Sequence, residues 1–125
     1  MDYTEKVVLL ERAYCCFNER RIDDLLAMMT DDVQWPDVAH GTVLDGKALI
    51  SPYWEAQFAV SDPTVIPTDF FPVGRDLVAV IKQRILNHRG ELLTPPSTLF
   101  HRYTFRDDRV SRMVVFVDRE AAAMP

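Results

Sequence analysis

The sequence of 125 residues has few of the residues that build crosslinks, phosphate-binding loops or metal centres. Its two cysteines, Cys15 and Cys16, are adjacent, and such neighbours rarely bridge each other because the ring would be strained. We therefore expect reduced thiols and a cytoplasmic location. Only four glycines occur, and the dinucleotide, P-loop, zinc-protease and nucleophile-elbow motifs are missing. Because His40, His88 and His101 lack metal-ligand spacing, the sequence predicts no metal site and no cofactor.

Positive charge is also scarce. Lysine and arginine number 14 against 19 aspartates and glutamates, which gives a formal net charge of -5. Such a chain is repelled on average by a phosphate backbone or an anionic membrane, so we expect neither as a partner. No apolar run reaches the ~18 residues that a membrane span needs. Residues 1–5 are acidic and lack the apolar segment of a signal peptide.

The composition is that of a globular protein, with 48% hydrophobic and 26% charged residues. A chain of this length suits a single domain, and we expect residues 1–125 to form one. A domain of this size buries enough apolar surface to fold without disulfides or structural metal.

Three helices are predicted in the first half of the chain. The first spans about Thr4 to Glu19, and either Asp2, which has capping-box spacing to Glu5, or Thr4 is its cap. Its apolar stripe consists of Val7, Leu10, Ala13, Tyr14 and Phe17. A second, short helix is indicated by Ile22, Leu25, Leu26 and Met29, and residues 30–32 end it. The third lies near residues 47–60, where Pro52 either restarts or kinks it.

The rest of the chain is predicted to be β-structure. A short strand covers residues 33–37, a loop follows at 41–46, and longer strands cover 65–73, 77–87, 98–106 and 110–118. Alternation along residues 98–106 divides that strand into two faces. The face predicted to point inward carries Leu99, His101, Tyr103 and Phe105. The pattern therefore predicts an α+β domain, helical first and antiparallel β second.

Three stretches resemble the NTF2-like superfamily, and within it the SnoaL-like and ketosteroid-isomerase-like proteins. They are residues 23–33 leading into Trp35-Pro36-Asp37, Asp45-Gly46-Lys47 before Tyr53-Trp54, and residues 101–107 before Val110. The resemblance covers nearly the whole chain. It implies a cone-shaped fold in which helices pack on a strongly curved, mainly antiparallel sheet around one deep pocket.

The resemblance also implies roles for three residues. Asp37 matches the position of a catalytic base, and Tyr14 matches a tyrosine that donates to a developing oxyanion. His101 matches a protonated aspartic acid, the second donor, and a histidine there could donate or act as a base. For each residue the structural alternative stays open: a turn carboxylate for Asp37, and hydrogen-bonded core residues for Tyr14 and His101.

The remaining candidate residues are predicted to form the pocket. The candidate wall and mouth residues are Trp35, His40, Trp54, Phe58, Leu99 and Tyr103. For the aromatic members the alternative is a core role, and for His40 it is an exposed loop position.

Two function classes follow. One is a cofactor-independent enzyme, an isomerase, dehydratase or cyclase, that moves a proton on a small apolar carbonyl compound. The other is a non-catalytic module that binds a small ligand or dimerises. In both cases we expect a homodimer that pairs through the sheet.

Overall fold

Four helices and six strands follow one another in the computed structural model, which describes residues 1–125. The helices are α1 (Tyr3–Asn18), α2 (Ile22–Ala27), α3 (Lys47–Val60) and α4 (Arg119–Ala122). The strands are β1 (Met29–Asp37), β2 (Thr42–Asp45), β3 (Asp62–Val73), β4 (Asp76–Leu86), β5 (Ser97–Arg106) and β6 (Arg109–Phe116). None of the helices combines the length and the apolar character that crossing a bilayer demands.

The six strands form one curved sheet in the order β2-β1-β6-β5-β4-β3. All neighbours are antiparallel except β1 and β6, which run parallel. The strand register shifts between Pro67 and Asp69 in β3, and between Thr104 and Phe105 in β5. Such irregularities bend the strands and increase their twist, which gives the sheet a concave face. The predicted α+β class and curved sheet are confirmed.

Helix α1 lies against the concave face, and its first turn shows why it begins where it does. The Asp2 carboxylate accepts from the Glu5 backbone N–H at 2.8 Å, and the Glu5 side chain accepts from the Asp2 N–H at 3.3 Å. This reciprocal capping satisfies two of the orphan N–H groups, so Asp2, not Thr4, is the cap. The predicted stripe is confirmed, since Leu10, Ala13 and Tyr14 are buried.

Two boundaries around β1 differ from the prediction. Helix α2 ends at Ala27, and β1 already begins at Met29, because the Met28 carbonyl accepts from the Val110 N–H at 2.9 Å and starts the parallel pairing with β6. The predicted loop at 41–46 contains β2, which pairs with residues 34–37 of β1. Because β2 is a short edge strand with mostly exposed side chains, it has no alternating apolar pattern to reveal it.

The C-terminal end of the chain was also predicted differently. The last strand stops at Phe116, and Asp118 caps the short helix α4 by accepting from the Glu120 N–H at 3.1 Å. Ala122 of α4 packs on the outer face of the sheet and helps to bury Phe100, which alternates with the inward-facing residues of β5. The outer face is therefore partly covered by the chain itself.

Gly46 joins β2 to α3 in a conformation that side chains disfavour. Its φ is +95° and its ψ 155°, and its N–H donates to the Val33 carbonyl at 2.7 Å. A Cβ at this position would make an ordinary contact, 3.4 Å from the Asp31 carbonyl oxygen, so the cost of a side chain comes from the backbone conformation, which is nearly confined to glycine. Because α3 forms one wall of the cavity described below, this glycine helps to fix that wall.

Gly46→Ala should lower the free energy of unfolding by an amount near the top of the roughly 1–3 kcal/mol typical of such strain. Gly74→Ala is the matched control, because Gly74 has a φ of +59° and a Cβ added there would meet nothing within 4 Å. We expect the control to lose an amount near the bottom of that range of about 1–3 kcal/mol. Urea unfolding measures both values, and an equal loss at the two positions would contradict the role of Gly46.

Candidate functional site

An apolar cavity lies between α1, α3 and the concave face of the sheet. It has a volume of about 120 Å³, and 15 of its 19 lining residues are hydrophobic. No aspartate, glutamate, lysine or arginine lines it. Val38, which is 66% exposed, is one of the lining residues, so the cavity reaches the surface beside it. An engineered apolar cavity of about 150 Å³ admits benzene, so the space here suits a single ring.

Aromatic rings form much of the cavity wall. Trp35 meets Trp54 edge to face, with ring centroids 5.4 Å apart, and Tyr103 lies beyond Trp35 at 6.5 Å. Trp54 is only 2% exposed. Edge-to-face contacts of this kind add stability beyond the buried area and hold the rings in place, so this wall is rigid.

Three polar side chains form a hydrogen-bonded chain at the buried end of the cavity. The Tyr103 and Tyr14 hydroxyl oxygens lie 2.7 Å apart, and the Tyr14 hydroxyl lies 2.8 Å from His101 Nδ1. All three residues are at most 7% exposed, and all three line the cavity. His101 and Tyr103 reach it from the inward face of β5, and Tyr14 reaches it from the buried stripe of α1.

Burial keeps every member of this chain neutral. It lowers the pKa of His101 to about 4, so the imidazole is uncharged at neutral pH. Burial and the neighbouring Tyr103 raise the pKa of Tyr14 well above its ordinary value. Burial also raises the pKa of Tyr103, although its bond to Tyr14 acts in the opposite direction. Both hydroxyls therefore keep their protons.

The direction of the hydrogen bonds follows from the strength of the groups. A phenol O–H is a stronger donor than a neutral imidazole N–H, and an imidazole nitrogen is a stronger acceptor than a phenol oxygen. Tyr14 therefore donates to His101 Nδ1 while it accepts from Tyr103. The imidazole proton then resides on Nε2, which has no protein partner and retains some accessible surface. Since His101 lines the cavity, this N–H is free to meet a ligand.

Asp37 lies close to the cavity mouth but not in its lining. Its side chain is buried, and its carboxylate accepts from the His40 N–H at 3.2 Å and contacts His40 Nδ1 at 2.8 Å. Both sequence neighbours, Pro36 and Val38, line the cavity. The pKa of Tyr53, another lining residue, is raised by burial and then by the charge on Asp37. The carboxylate thus acts electrostatically on the cavity from its rim.

The structure brings together some of the residues proposed from the sequence. Tyr14 and His101 are bonded to each other, whereas Asp37 stands apart with His40, whose ring is exposed. The proposed wall residues that line the cavity are Trp35, Trp54 and Tyr103, and those that do not are His40, Phe58 and Leu99. Phe58 instead packs on Phe17 and beneath the Arg20 guanidinium, and Leu99 packs against the main core.

Sequence reasoning missed several lining residues. They include Tyr53, Gln57, Gln83, Met28, Met29 and Met113. Tyr53 and Gln57 are four residues apart on α3, and the Gln57 amide donates to the Tyr53 hydroxyl at 3.3 Å. Residues at this spacing share one helix face, so the pair was available as a signal. The methionines gave none, because an apolar residue next to a cavity cannot be told from one in the core.

The solved structures with the same fold include complexes with small molecules. TerC, co-crystallised with polyporic acid, is 23% identical with a TM-score of 0.78, and the match covers 94% of each chain. A Mycobacterium tuberculosis protein in complex with estradiol-17β-hemisuccinate is 15% identical, with a TM-score of 0.77 over 93% of this chain and 95% of that one. A Sinorhizobium meliloti protein described as a putative polyketide cyclase is 18% identical, with a TM-score of 0.73 over 86% and 93%. At these identities the likeness establishes the fold.

The sequence comparison is consistent with that fold. No curated protein matches the chain. The family model of the SnoaL-like domain, however, matches residues 10–113, a stretch that contains Tyr14, Asp37, His101 and Tyr103. The resemblance to the NTF2-like superfamily is thereby confirmed, and the chain belongs to the family of SnoaL-like domains.

Proposed function

We propose that this chain is a cofactor-independent enzyme that moves a proton on a small, apolar, carbonyl-type substrate in the cavity. The reaction class is isomerisation, dehydration or cyclisation, all of which pass through an enolate. The observation that carries the proposal is His101, whose Nδ1 is hydrogen-bonded to a buried pair of hydroxyls and whose Nε2 has no protein partner, in a cavity without charged lining residues.

His101 would hold the substrate's carbonyl oxygen. As a proton leaves the adjacent carbon, negative charge develops on that oxygen, and a fixed N–H donor stabilises it strongly where water is excluded. The bonds from Tyr103 to Tyr14 and from Tyr14 to Nδ1 polarise the imidazole in the same direction, because hydrogen bonds in a chain reinforce one another. The donor is neutral, so no charge has to be buried before the reaction.

Asp37 would accept the proton. It shares its strand face with Trp35, one of the lining residues, and its carboxylate is shielded from water beside the cavity mouth. A substrate whose carbonyl oxygen bonds to His101 and whose adjacent carbon reaches the cavity mouth would give a proton to Asp37, which returns it to a second carbon or releases it with a leaving group. His40 would orient the carboxylate through its ring nitrogen and its backbone N–H.

Deuterium exchange tests the proposal without knowledge of the natural substrate. The chain is incubated in D₂O with cyclohexanone, and mass spectrometry measures deuterium gained next to the carbonyl. We expect exchange above the buffer rate, and His101→Gln should lower it by about 10²–10³-fold, the usual effect of removing one oxyanion donor. His88→Gln is the matched control, since His88 is exposed and its ring hydrogen-bonds to the Phe58 carbonyl. A rate equal to that of buffer for this and related ring ketones would contradict catalysis.

A ligand-binding module is the second candidate. It is favoured by one observation, that the Asp37 carboxylate is engaged by His40 and lies outside the cavity lining. The complexes of the TerC and Mycobacterium tuberculosis proteins are consistent with a ligand-holding role for this fold. Saturable binding of a ring ketone without any deuterium exchange would select this function over the enzyme.

We also propose that two copies pair through the outer face of the sheet. Val114 and Phe116 of β6 remain half-buried there beside the exposed Arg112, a mixed apolar and charged surface next to α4. Light scattering at micromolar concentration should give about twice the 14.4 kDa of one chain. A mass equal to that of one chain would contradict the dimer.

A further inference from the structure

We propose that Tyr14 is a positioning residue that selects the ligand: it fixes the His101 proton on Nε2, so the cavity takes neutral ring compounds with a hydrogen-bond acceptor at their buried end and rejects those that offer only a donor. The inference rests on the ligand site of the proposed function, but it does not require turnover. It assigns Tyr14 a different task from that of an oxyanion donor.

The task of Tyr14 follows from the number of protons available. Its hydroxyl has one proton and two neighbours, the Tyr103 hydroxyl at 2.7 Å and His101 Nδ1 at 2.8 Å. The proton is used on Nδ1, so Tyr14 has none to offer a ligand. A neutral imidazole has one N–H and one acceptor nitrogen, and an Nδ1 that accepts leaves the N–H on Nε2. Tyr14 therefore determines whether His101 offers a ligand in the cavity a hydrogen-bond donor or an acceptor.

Reversing the direction of the hydrogen bonds among Tyr103, Tyr14 and His101 would change the preferred ligand. If Nδ1 carried the proton, it would donate to Tyr14, and Nε2 would meet the ligand as an acceptor. The Tyr103 hydroxyl, which has no second partner, would then direct its proton towards apolar surroundings. The reversed order also replaces a strong phenol-to-imidazole bond with a weak imidazole-to-phenol bond. These hydrogen bonds thus favour the imidazole tautomer with its proton on Nε2 before any ligand enters.

No other buried polar group near His101 determines which ring nitrogen carries the proton. Tyr53, Gln57 and Gln83, the other polar lining residues besides Tyr103, are only half-buried, whereas Tyr14 and His101 are buried. The cavity volume of about 120 Å³ suits one ring there. A polar atom of a ligand that reaches His101 must therefore bond to Nε2, or both that atom and Nε2 remain without a hydrogen-bond partner.

Nitrogen NMR of His101 at pH 7 tests the proposal in the wild-type chain first. We expect the signals of a neutral ring with its proton on Nε2, assigned by comparison with a His101→Gln spectrum. Tyr14→Phe removes the donor to Nδ1 and should produce a mixture of the two neutral forms. Tyr3→Phe is the matched control, because it removes a phenol hydroxyl from the same helix outside the cavity, where Tyr3 donates to the Phe70 carbonyl, and the proton should stay on Nε2.

Ligand selectivity provides a second readout. Cyclopentanone offers only an acceptor and pyrrole only a donor, in rings of similar size. By shift titration we expect the wild-type chain and Tyr3→Phe to bind cyclopentanone about 10- to 100-fold more tightly than pyrrole, which is the effect of leaving one buried donor unpaired. In Tyr14→Phe the ratio should fall towards one.

A wild-type ring protonated on Nδ1, or a Tyr14→Phe variant with an unchanged proton position and selectivity, would overturn the proposal. Failure of this proposal can be distinguished from failure of the proposed function. Acceptor selectivity without deuterium exchange supports this inference and defeats the reaction, whereas exchange by a chain whose proton position and selectivity do not change in Tyr14→Phe does the reverse. If Tyr14→Phe does not fold, a wild-type ring protonated on Nδ1, or equal wild-type affinities for the two ring compounds, still overturns the proposal.

Discussion

Asp37→Asn should reduce deuterium exchange into cyclohexanone by about 10²–10⁴-fold, the usual contribution of a positioned general base. The amide has nearly the same shape as the carboxylate, and its oxygen can still accept from the His40 N–H, which lies 3.2 Å from Asp37 Oδ1. It cannot take up a proton, however, so the loss should be in the rate of the chemical step. Ketone binding should stay nearly unchanged, because the buried end of the cavity is untouched.

Asp45→Asn is the matched control for that measurement. Asp45 lies on β2 opposite Gln34, accepts from its amide at 3.2 Å and is exposed, so it loses the same charge on the same hairpin. Its exchange rate should equal that of the wild-type chain. If Asp37→Asn exchanges as fast as this control while His101→Gln does not, the proton acceptor is another group, and Asp37 is a turn carboxylate held by His40.

The periodic patterns of the sequence predict most of the elements that carry the site. The stripe on α1 predicts that Tyr14 points inward, and the alternation on β5 does the same for His101 and Tyr103. The hydrogen bond between Tyr14 and His101 could not be predicted in this way. The two residues are 87 positions apart, and their contact depends on how α1 crosses the curved sheet, which no local spacing encodes.

The position of Asp37 shows the opposite limit. Asp37 hydrogen-bonds to His40, three residues later in the sequence, in an ordinary turn arrangement. The local sequence therefore contained the signal for this contact. The bend of the chain after Pro36 then decides whether the carboxylate enters the cavity or stays at its rim. The strands and helices that sequence analysis missed, β2 and α4, are short and bury few side chains, so they lack the periodicity on which prediction depends.

The neutral state of buried His101 should make the stability of the chain depend on pH in the acid range. Its pKa is about 4 in the folded chain and about 6.5 when unfolded, so between these values the unfolded chain binds more protons. The free energy of unfolding then rises with pH. The contribution of His101 is fully present above the pKa of the unfolded chain and is lost as the pH falls towards the pKa of the folded chain. Between pH 7 and pH 4 the loss should be about 3 kcal/mol.

Urea unfolding of the wild-type and His101→Gln chains across this range isolates the contribution, because the carboxylates titrate in both. The wild-type chain should lose about 3 kcal/mol more than the variant, whose amide has no proton to gain and can still accept from Tyr14. Parallel curves for the wild-type and His101→Gln chains would mean that His101 takes up its proton without unfolding the protein. The cavity would then hold an imidazolium in acid, and the neutral donor on which the proposed chemistry depends would exist only at higher pH.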